Sequence, residues 1–334
     1  MADVRITTFS TPAWLPGRHL QTLYPLLRKP PLPELVRERV TTPDNDFCDF
    51  DWLASGNDQA PLFVLFHGLE GSSHSHYARS LLSGAKKRGW RAVVPHFRGC
   101  SGENNLHARA YHSGDSEEIH WMLAFLAQRA NEAPLLAVGV SLGGNALLKW
   151  LGEQGSAAHK LVTATAAVCP PLDLTVSGLA LERGFCRLYT RHFLASLKPK
   201  VFAKLDRHPH LFDRAQMRSA RTLREFDDLY TAPVHGFIDA ADYWQRASSR
   251  PWLRSIQVPT FLLTAANDPF VPPAALPAAD ELSDHVLHQN AVSGGHVGFI
   301  SDRWPGHNAW FVNRVCNFLQ DALPCTAVQG NVRL

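Results

Sequence analysis

The stretch AVGVSLGGNA, residues 137–146, places one serine, Ser141, between glycines at 139 and 143. The apolar run PLLAVGV (134–140) before it reads as a buried strand, and residues 143–154 after it read as a helix. A serine at a sharp strand-to-helix turn sits in strained backbone, at a cost of about 1–3 kcal/mol. Gly139 and Gly143 are then required, because larger side chains would collide with the neighbouring strand and helix. The hydroxyl would stand at the C-terminal edge of a sheet, near the positive end of the helix.

The same alternation extends outward from this turn. PLFVLF (61–66), RAVVPHF (91–97) and LVTATAAVC (161–169) read as strands, with helices near 75–88 and 113–130. Runs apolar on both faces and separated by helices are those of a buried parallel sheet. From about Pro171 to Trp252 the period becomes helical, with LERGFCRLYTRHFLASL and DRAQMRSARTLREF as its clearest pieces. Alternation resumes with PTFLLTAA (259–266), HVLHQNAV (285–292) and an amphipathic helix over 309–323. Upstream, ELVRERV and FCDFDWLA read as antiparallel strands joined by the turn TPDND. The expected architecture is an α/β core formed by residues 1–170 and 253–334, with a helical cap inserted over 171–252.

A serine hydroxyl needs a base to take its proton, and the base needs an orienting carboxylate. SGGHVGF offers His296 in a glycine-rich loop after the last strand, and TAANDPFVP offers Asp268 directly after another. The chain order Ser141, Asp268, His296 is that of α/β-hydrolases. Asp173, in PPLDL, is the rival acid, but its position better suits the start of the helical insertion. A tetrahedral oxyanion needs backbone donors. The loop FHGLEGSS supplies the Leu69 N–H, shaped by His67 and Gly68, and Leu142 supplies a second donor at the helix start. In HFRGCSGE, Arg98 and Glu103 fall near the same edge, where an arginine–carboxylate pair would brace the site. Ser113 is a candidate cap for the helix that follows YHSGD, with Asp115 and Glu117 in its first turn.

Taken together, FHGLEGSSHSHYARSL, HFRGCSGE, YHSGD, GVSLGGNALLKWLGE, NDPFVP and SGGHVGF resemble the YheT-like α/β hydrolases. The early PAWLPGRHLQTLYP is similar to that family's N-terminal signature. The resemblance implies a Ser141–Asp268–His296 triad, carboxylesterase-type chemistry through an acyl-enzyme, and a cap over the site. It leaves open phospholipase, thioesterase or amidase use of the same triad, and a catalytically decayed binding module as the non-enzyme alternative.

The cap bears on the substrate. Between 171 and 225 stand eleven Lys/Arg against five Asp/Glu, and Arg214, Arg218 and Arg221 are expected on one helical face. A solvated face accounts for them; contact with anionic substrates or an anionic lipid surface is the functional alternative. Leu179, Phe185, Leu188, Phe193 and Leu194 are candidates to line an acyl pocket or to dock the cap.

Composition sets the remaining bounds. A net charge of +3 gives no case for nucleic acid. No run approaches the roughly 18 apolar residues of a membrane span, and the start lacks a secretory pattern, so a cytoplasmic protein is expected. The six cysteines are not spaced as zinc or redox pairs, and free thiols are expected. His74/His76 and His208/His210 lack a third ligand nearby and read as surface or loop histidines, so neither metal nor organic cofactor is expected. The expected partner is a small ester or a lipid-like molecule.

Overall fold

The computed structural model describes residues 4–7, 9, 11–54 and 57–324, with the backbone alone for 4–7. The chain runs β1 (Val4–Thr7), α1 (Arg18–Leu27), β2 (Leu35–Thr41), β3 (Phe47–Leu53), β4 (Leu62–Phe66), α2 (His76–Lys87), β5 (Arg91–Pro95) and α3 (Ser116–Ala130). It continues with β6 (Leu135–Val140), α4 (Leu142–Gln154) and β7 (Ala164–Val168). Then come α5 (Leu174–Leu181), α6 (Cys186–Lys204), α7 (Arg214–Ser219), α8 (Leu223–Phe226), α9 (Ala232–Val234) and α10 (Ala240–Ala247). The chain returns to the sheet with β8 (Thr260–Ala265) and β9 (Val286–Ala291), and ends in α11 (Ala309–Asp321).

Among the described residues nine strands form one sheet in the order β1-β9-β8-β7-β6-β4-β5-β3-β2. Every adjacent pair is parallel except β3 with β5 and β2 with β3. Both faces are covered, and the pleat sorts the side chains. Leu62, Val64 and Phe66 pack with Ile119 of α3 and Leu147 of α4. Phe63 and Leu65 pack on the other face with Leu81 of α2 and Phe311 of α11. β1, which pairs with β9, was not anticipated from the sequence.

After β4 the next strand lies to one side, and after β6 the next lies to the other. The loops leaving adjacent β4 and β6 therefore diverge around a crevice at the sheet's C-terminal edge, which is where such sheets hold ligands. On the β2 flank of the sheet, Arg37 and Arg39 each fork onto the residue paired directly across, Asp51 and Asp49, with N···O distances of 2.7–2.9 Å. Buried Asp51 also accepts from Ser73 at 2.6 Å and bonds His96 at 2.8 Å, which ties β3 to the loops after β4 and β5.

The helices between β7 and β8 are anchored from below by Asn145 on α4. Its buried amide donates to Ser113 O (2.7 Å) and Ala247 O (2.8 Å), and its oxygen accepts from Ser249 N (3.0 Å). Three sequence expectations are corrected here. The cap of α3 is Asp115, accepting from Glu118 N, while Ser113 lies further out. His76 is buried at the start of α2 and bonds Val297 O at 3.1 Å, so it is not a surface histidine. Arg221 does not share a helix with Arg214 and Arg218, because α7 ends at Ser219 and Thr222 opens α8 with a capping box to Glu225. Five cysteines are free thiols; Cys325 lies outside the described residues.

Candidate active site

Ser141 occupies the turn between β6 and α4 with φ 52° and ψ −121°, a left-handed backbone that a serine adopts only under constraint. The constraint is local. Its N–H donates to Val168 O of β7 at 2.9 Å, and its carbonyl accepts from Asn145 N at 3.0 Å as α4 begins. A Cβ on Gly139 would stand 2.5 Å from Gly143 O, and one on Gly143 would stand 2.5 Å from His67 O and 2.6 Å from Phe66 O. The steric case for both glycines therefore rests on backbone, which cannot yield.

Three residues remote in sequence are brought into one row. The Ser141 hydroxyl lies 2.9 Å from His296 Nε2, and His296 Nδ1 lies 2.8 Å from Asp268 Oδ2. The other oxygen of Asp268 accepts from Phe270 N (2.8 Å) and Val271 N (3.2 Å), which fixes the carboxylate's rotation. The Phe270 ring lies over the His296 imidazole with centroids 4.3 Å apart. Asp173, the rival acid, instead caps α5 by accepting from Val176 N at 3.0 Å.

The holders of this row were not found in the sequence. Helix α1 lies against the glycine-rich loop: Thr22 Oγ1 accepts from His296 N at 3.0 Å and Gln21 Oε1 from Gly294 N at 3.1 Å. Asn267 Nδ2 donates to the same Gln21 oxygen at 2.9 Å, and Asn267 Oδ1 accepts from Gly295 N at 3.0 Å. A Cβ on Gly295 would meet Thr22 N at 2.8 Å, so the paired glycines admit the helix. The only sequence signal was the PAWLPGRHLQTLYP stretch, whose role cannot be read without the fold. Cys169, at the end of β7, is a second addition. Its buried thiol lies beside Asp268, and burial with that carboxylate pushes its pKa well above the usual thiol range.

The loop after β4 faces Ser141. His67 is fully buried; its Nδ1 bonds Gly68 O at 2.8 Å and its Nε2 accepts from Phe97 N at 3.1 Å. This arrangement fits the neutral ring, and burial, more than nearby His96, pulls the pKa down to about 3. Gly68 approaches so closely that a Cβ there would lie 3.1 Å from Ser141 Cβ. Gly68 N–H donates to Tyr77 Oη (2.8 Å) and Glu70 N–H to Tyr111 Oη (2.9 Å), which leaves the Leu69 amide between two anchored neighbours. Leu142 is the first residue of α4, whose opening N–H groups have no partner within the helix.

Arg98 is buried as anticipated, but not with Glu103. It forks onto Asp44 (2.8 and 3.0 Å), and its Nε donates to Glu118 (2.9 Å), while exposed Glu103 pairs with Arg39. Glu118 lies on α3 and Asp44 in the β2–β3 turn, and neither is predictable from a local pattern.

A pocket runs from Ser141 and His296 beneath the inserted helices. Phe193 lines it, with Leu174, Leu181, Leu197, Val201 and Phe226. Leu194 packs among the helices between β7 and β8, Phe185 and Leu188 are exposed, and Leu179 is not among the lining residues. Lys200 reaches across to Glu70 at 2.7 Å, and buried Lys204 donates to the carbonyls of His107, Ala108 and Arg109. These two lysines of α6 are thus turned inward. Asp227 also lines the pocket, accepting from Trp244 Nε1 at 2.8 Å, and burial pushes its carboxyl up to about 7.

The sequence profile for the alpha/beta hydrolase fold matches residues 61–302, most of the chain. The chain belongs to this family. Among its relatives, the chain is 41% identical to "Putative esterase YheT" of Escherichia coli (strain K12), covering 90% of this chain and 89% of that one. It is 28% identical to Phospholipase ABHD3 of Homo sapiens, over 91% of this chain and 76% of that one. Of solved structures, the Pyrococcus furiosus esterase Pf2001 superposes with a TM-score of 0.55 at 19% identity, covering 86% of this chain and 92% of that chain. Est1E from Butyrivibrio proteoclasticus gives 0.57 at 11%, over 85% and 98%. At such identities these two structures show the shared fold. The chain is an enzyme of the α/β-hydrolase superfamily, with esterases and hydrolases as its relatives, and no helix among its described residues is long and apolar enough to cross a membrane.

Proposed function

We propose that the protein is a serine esterase that cleaves carboxylic esters through an acyl-enzyme. The observation that carries the reading is the row Ser141–His296–Asp268, hydrogen-bonded at 2.9 and 2.8 Å at the mouth of the apolar pocket. His296 Nε2 takes the Ser141 proton as Oγ attacks the ester carbonyl, and Asp268 holds Nδ1–H and offsets the charge that develops on the ring. The Leu69 and Leu142 amides hold the oxyanion. The tetrahedral intermediate collapses as His296 protonates the leaving alcohol, releasing it and leaving the acyl group on Ser141. His296 then draws a proton from water, which attacks the acyl carbonyl, and the carboxylic acid leaves as Ser141 recovers its proton. Neither metal nor organic cofactor enters this sequence.

Residues 171–252 act as the cap that encloses the acyl group, since all six apolar lining residues named above lie in them and Phe270 closes the side next to His296. A phospholipid ester is the second reading, favoured by the relatives named as phospholipases. The test is a fluorophosphonate label together with a panel of p-nitrophenyl esters, thioesters, anilides and phospholipids. Labelling at Ser141 and turnover of esters, both lost in Ser141→Ala, are expected. A protein that takes no label and hydrolyses no ester in the panel refutes the reading.

A further inference from the structure

Helix α1 is buried on one side and bare on the other. Gln21, Thr22 and Pro25 face inward, where the first two hold the loop bearing His296. Leu20 and Leu27, seven residues apart with Tyr24 between them, occupy the opposite side and are 53% and 81% exposed. The surface continues into the loop at 302–306. Tyr24 Oη donates to Pro305 O at 2.8 Å, and the Arg28 guanidinium lies 5.6 Å from the ring centroid of Trp304, which is itself 70% exposed. Isolated exposed apolar residues need no explanation; two leucines and a tryptophan on one contiguous surface do.

The charge around them is mostly positive. Arg28, Lys29 and Arg303 are exposed at its borders, and none of them has a carboxylate partner among the described residues. The one acid in the loop, Asp302, lies 3.1 Å from His307, against three basic residues at the borders. Leucine and tryptophan with arginine and lysine at the rim are the composition of surfaces that lie at a bilayer interface, the apolar groups below the headgroups and the cations among anionic ones.

We propose that the outer face of α1 and the Trp304 loop dock this protein on an anionic lipid bilayer. The docking face and the His296 loop then sit on opposite sides of the same helix, which sets the candidate site at the membrane surface. The proposal does not depend on hydrolysis, because docking is a property of the outer surface alone.

Sedimentation of the intact protein with sucrose-loaded vesicles tests it, comparing phosphatidylcholine alone with phosphatidylcholine containing about 30% phosphatidylglycerol. Binding to the anionic vesicles is expected to be at least about tenfold tighter and to weaken as NaCl is raised. Leu27→Glu and Trp304→Ser should each weaken it by about tenfold, and Arg28→Glu with Lys29→Glu should remove the preference for anionic vesicles. All these variants should hydrolyse p-nitrophenyl acetate in the absence of vesicles at the wild-type rate and keep the wild-type circular dichroism. Equal binding to both vesicle types, no binding, or variants that bind as the wild type does would overturn the proposal. So would a wild-type dimer that Leu27→Glu converts to monomer, since a second copy would then cover the face. Vesicle binding by a protein that cleaves no ester would leave the docking intact and remove only the esterase reading.

Discussion

Thr22 and His296 lie 274 residues apart in the chain, yet the Thr22 hydroxyl accepts the His296 amide N–H at 3.0 Å. The same hydroxyl donates to Arg18 O at 2.7 Å, so its acceptor face is fixed toward the loop by the helix itself. Position of the imidazole therefore depends on an element from the other end of the sequence. Thr22→Val keeps the shape and removes both bonds. It should lower stability by ~1 kcal/mol and kcat by about tenfold, with KM nearly unchanged. Steady-state kinetics on p-nitrophenyl butyrate with a urea titration checks this, and wild-type kcat would detach α1 from the site.

Ser141 separates strain from chemistry. Its φ of 52° is costly for serine and alanine and free for glycine. Ser141→Gly should unfold at higher urea than Ser141→Ala, by ~1–2 kcal/mol, while both lose turnover by at least about a thousandfold. Equal stability of the two variants would show that the turn stores no strain.

Gly143 tests the packing argument. An alanine there would place its Cβ against two backbone carbonyls, those of His67 and Phe66, at 2.5 and 2.6 Å. Neither can move without shifting the end of β4 and the loop that carries Leu69. Gly143→Ala should cost ~2–3 kcal/mol and most of the activity together. A variant with wild-type thermal stability would contradict the close approach of β4 and α4.

Asp227 makes stability depend on pH in a stated direction. Its carboxyl is raised from 3.8 to about 7, chiefly by burial. Between these values the unfolded chain has released the proton and the folded chain keeps it, so stability falls as pH rises through that window. Above about 7 both states are ionised and the penalty is complete. Asp227→Asn cannot titrate and its amide oxygen still accepts from Trp244. Its advantage over the wild type should grow from pH 4 to pH 7 by ~1–3 kcal/mol and then level off. Urea unfolding at pH 5 and pH 8 measures this; an advantage that shrinks with pH would invert the assignment.

The sequence by itself determined the sheet apart from β1, because strands buried on both faces leave unbroken apolar runs and their turns leave glycines. It also determined that Ser141, Asp268 and His296 each end or follow a strand, and a parallel sheet brings such ends to one edge whatever their separation along the chain. What only the tertiary structure decided are contacts with no local period. Arg98 chose Asp44 and Glu118 over nearby Glu103, and Gln21 and Thr22 came to hold a loop near the far end of the chain. The helices between β7 and β8 followed the same rule. Their helical composition was legible, but α7 and α8 part at Thr222, and Lys200 and Lys204 turn inward to the core. Periodicity reports which face of an element is buried; the partner that buries it is fixed by packing between elements, where a polar group must find its bond wherever the fold supplies one.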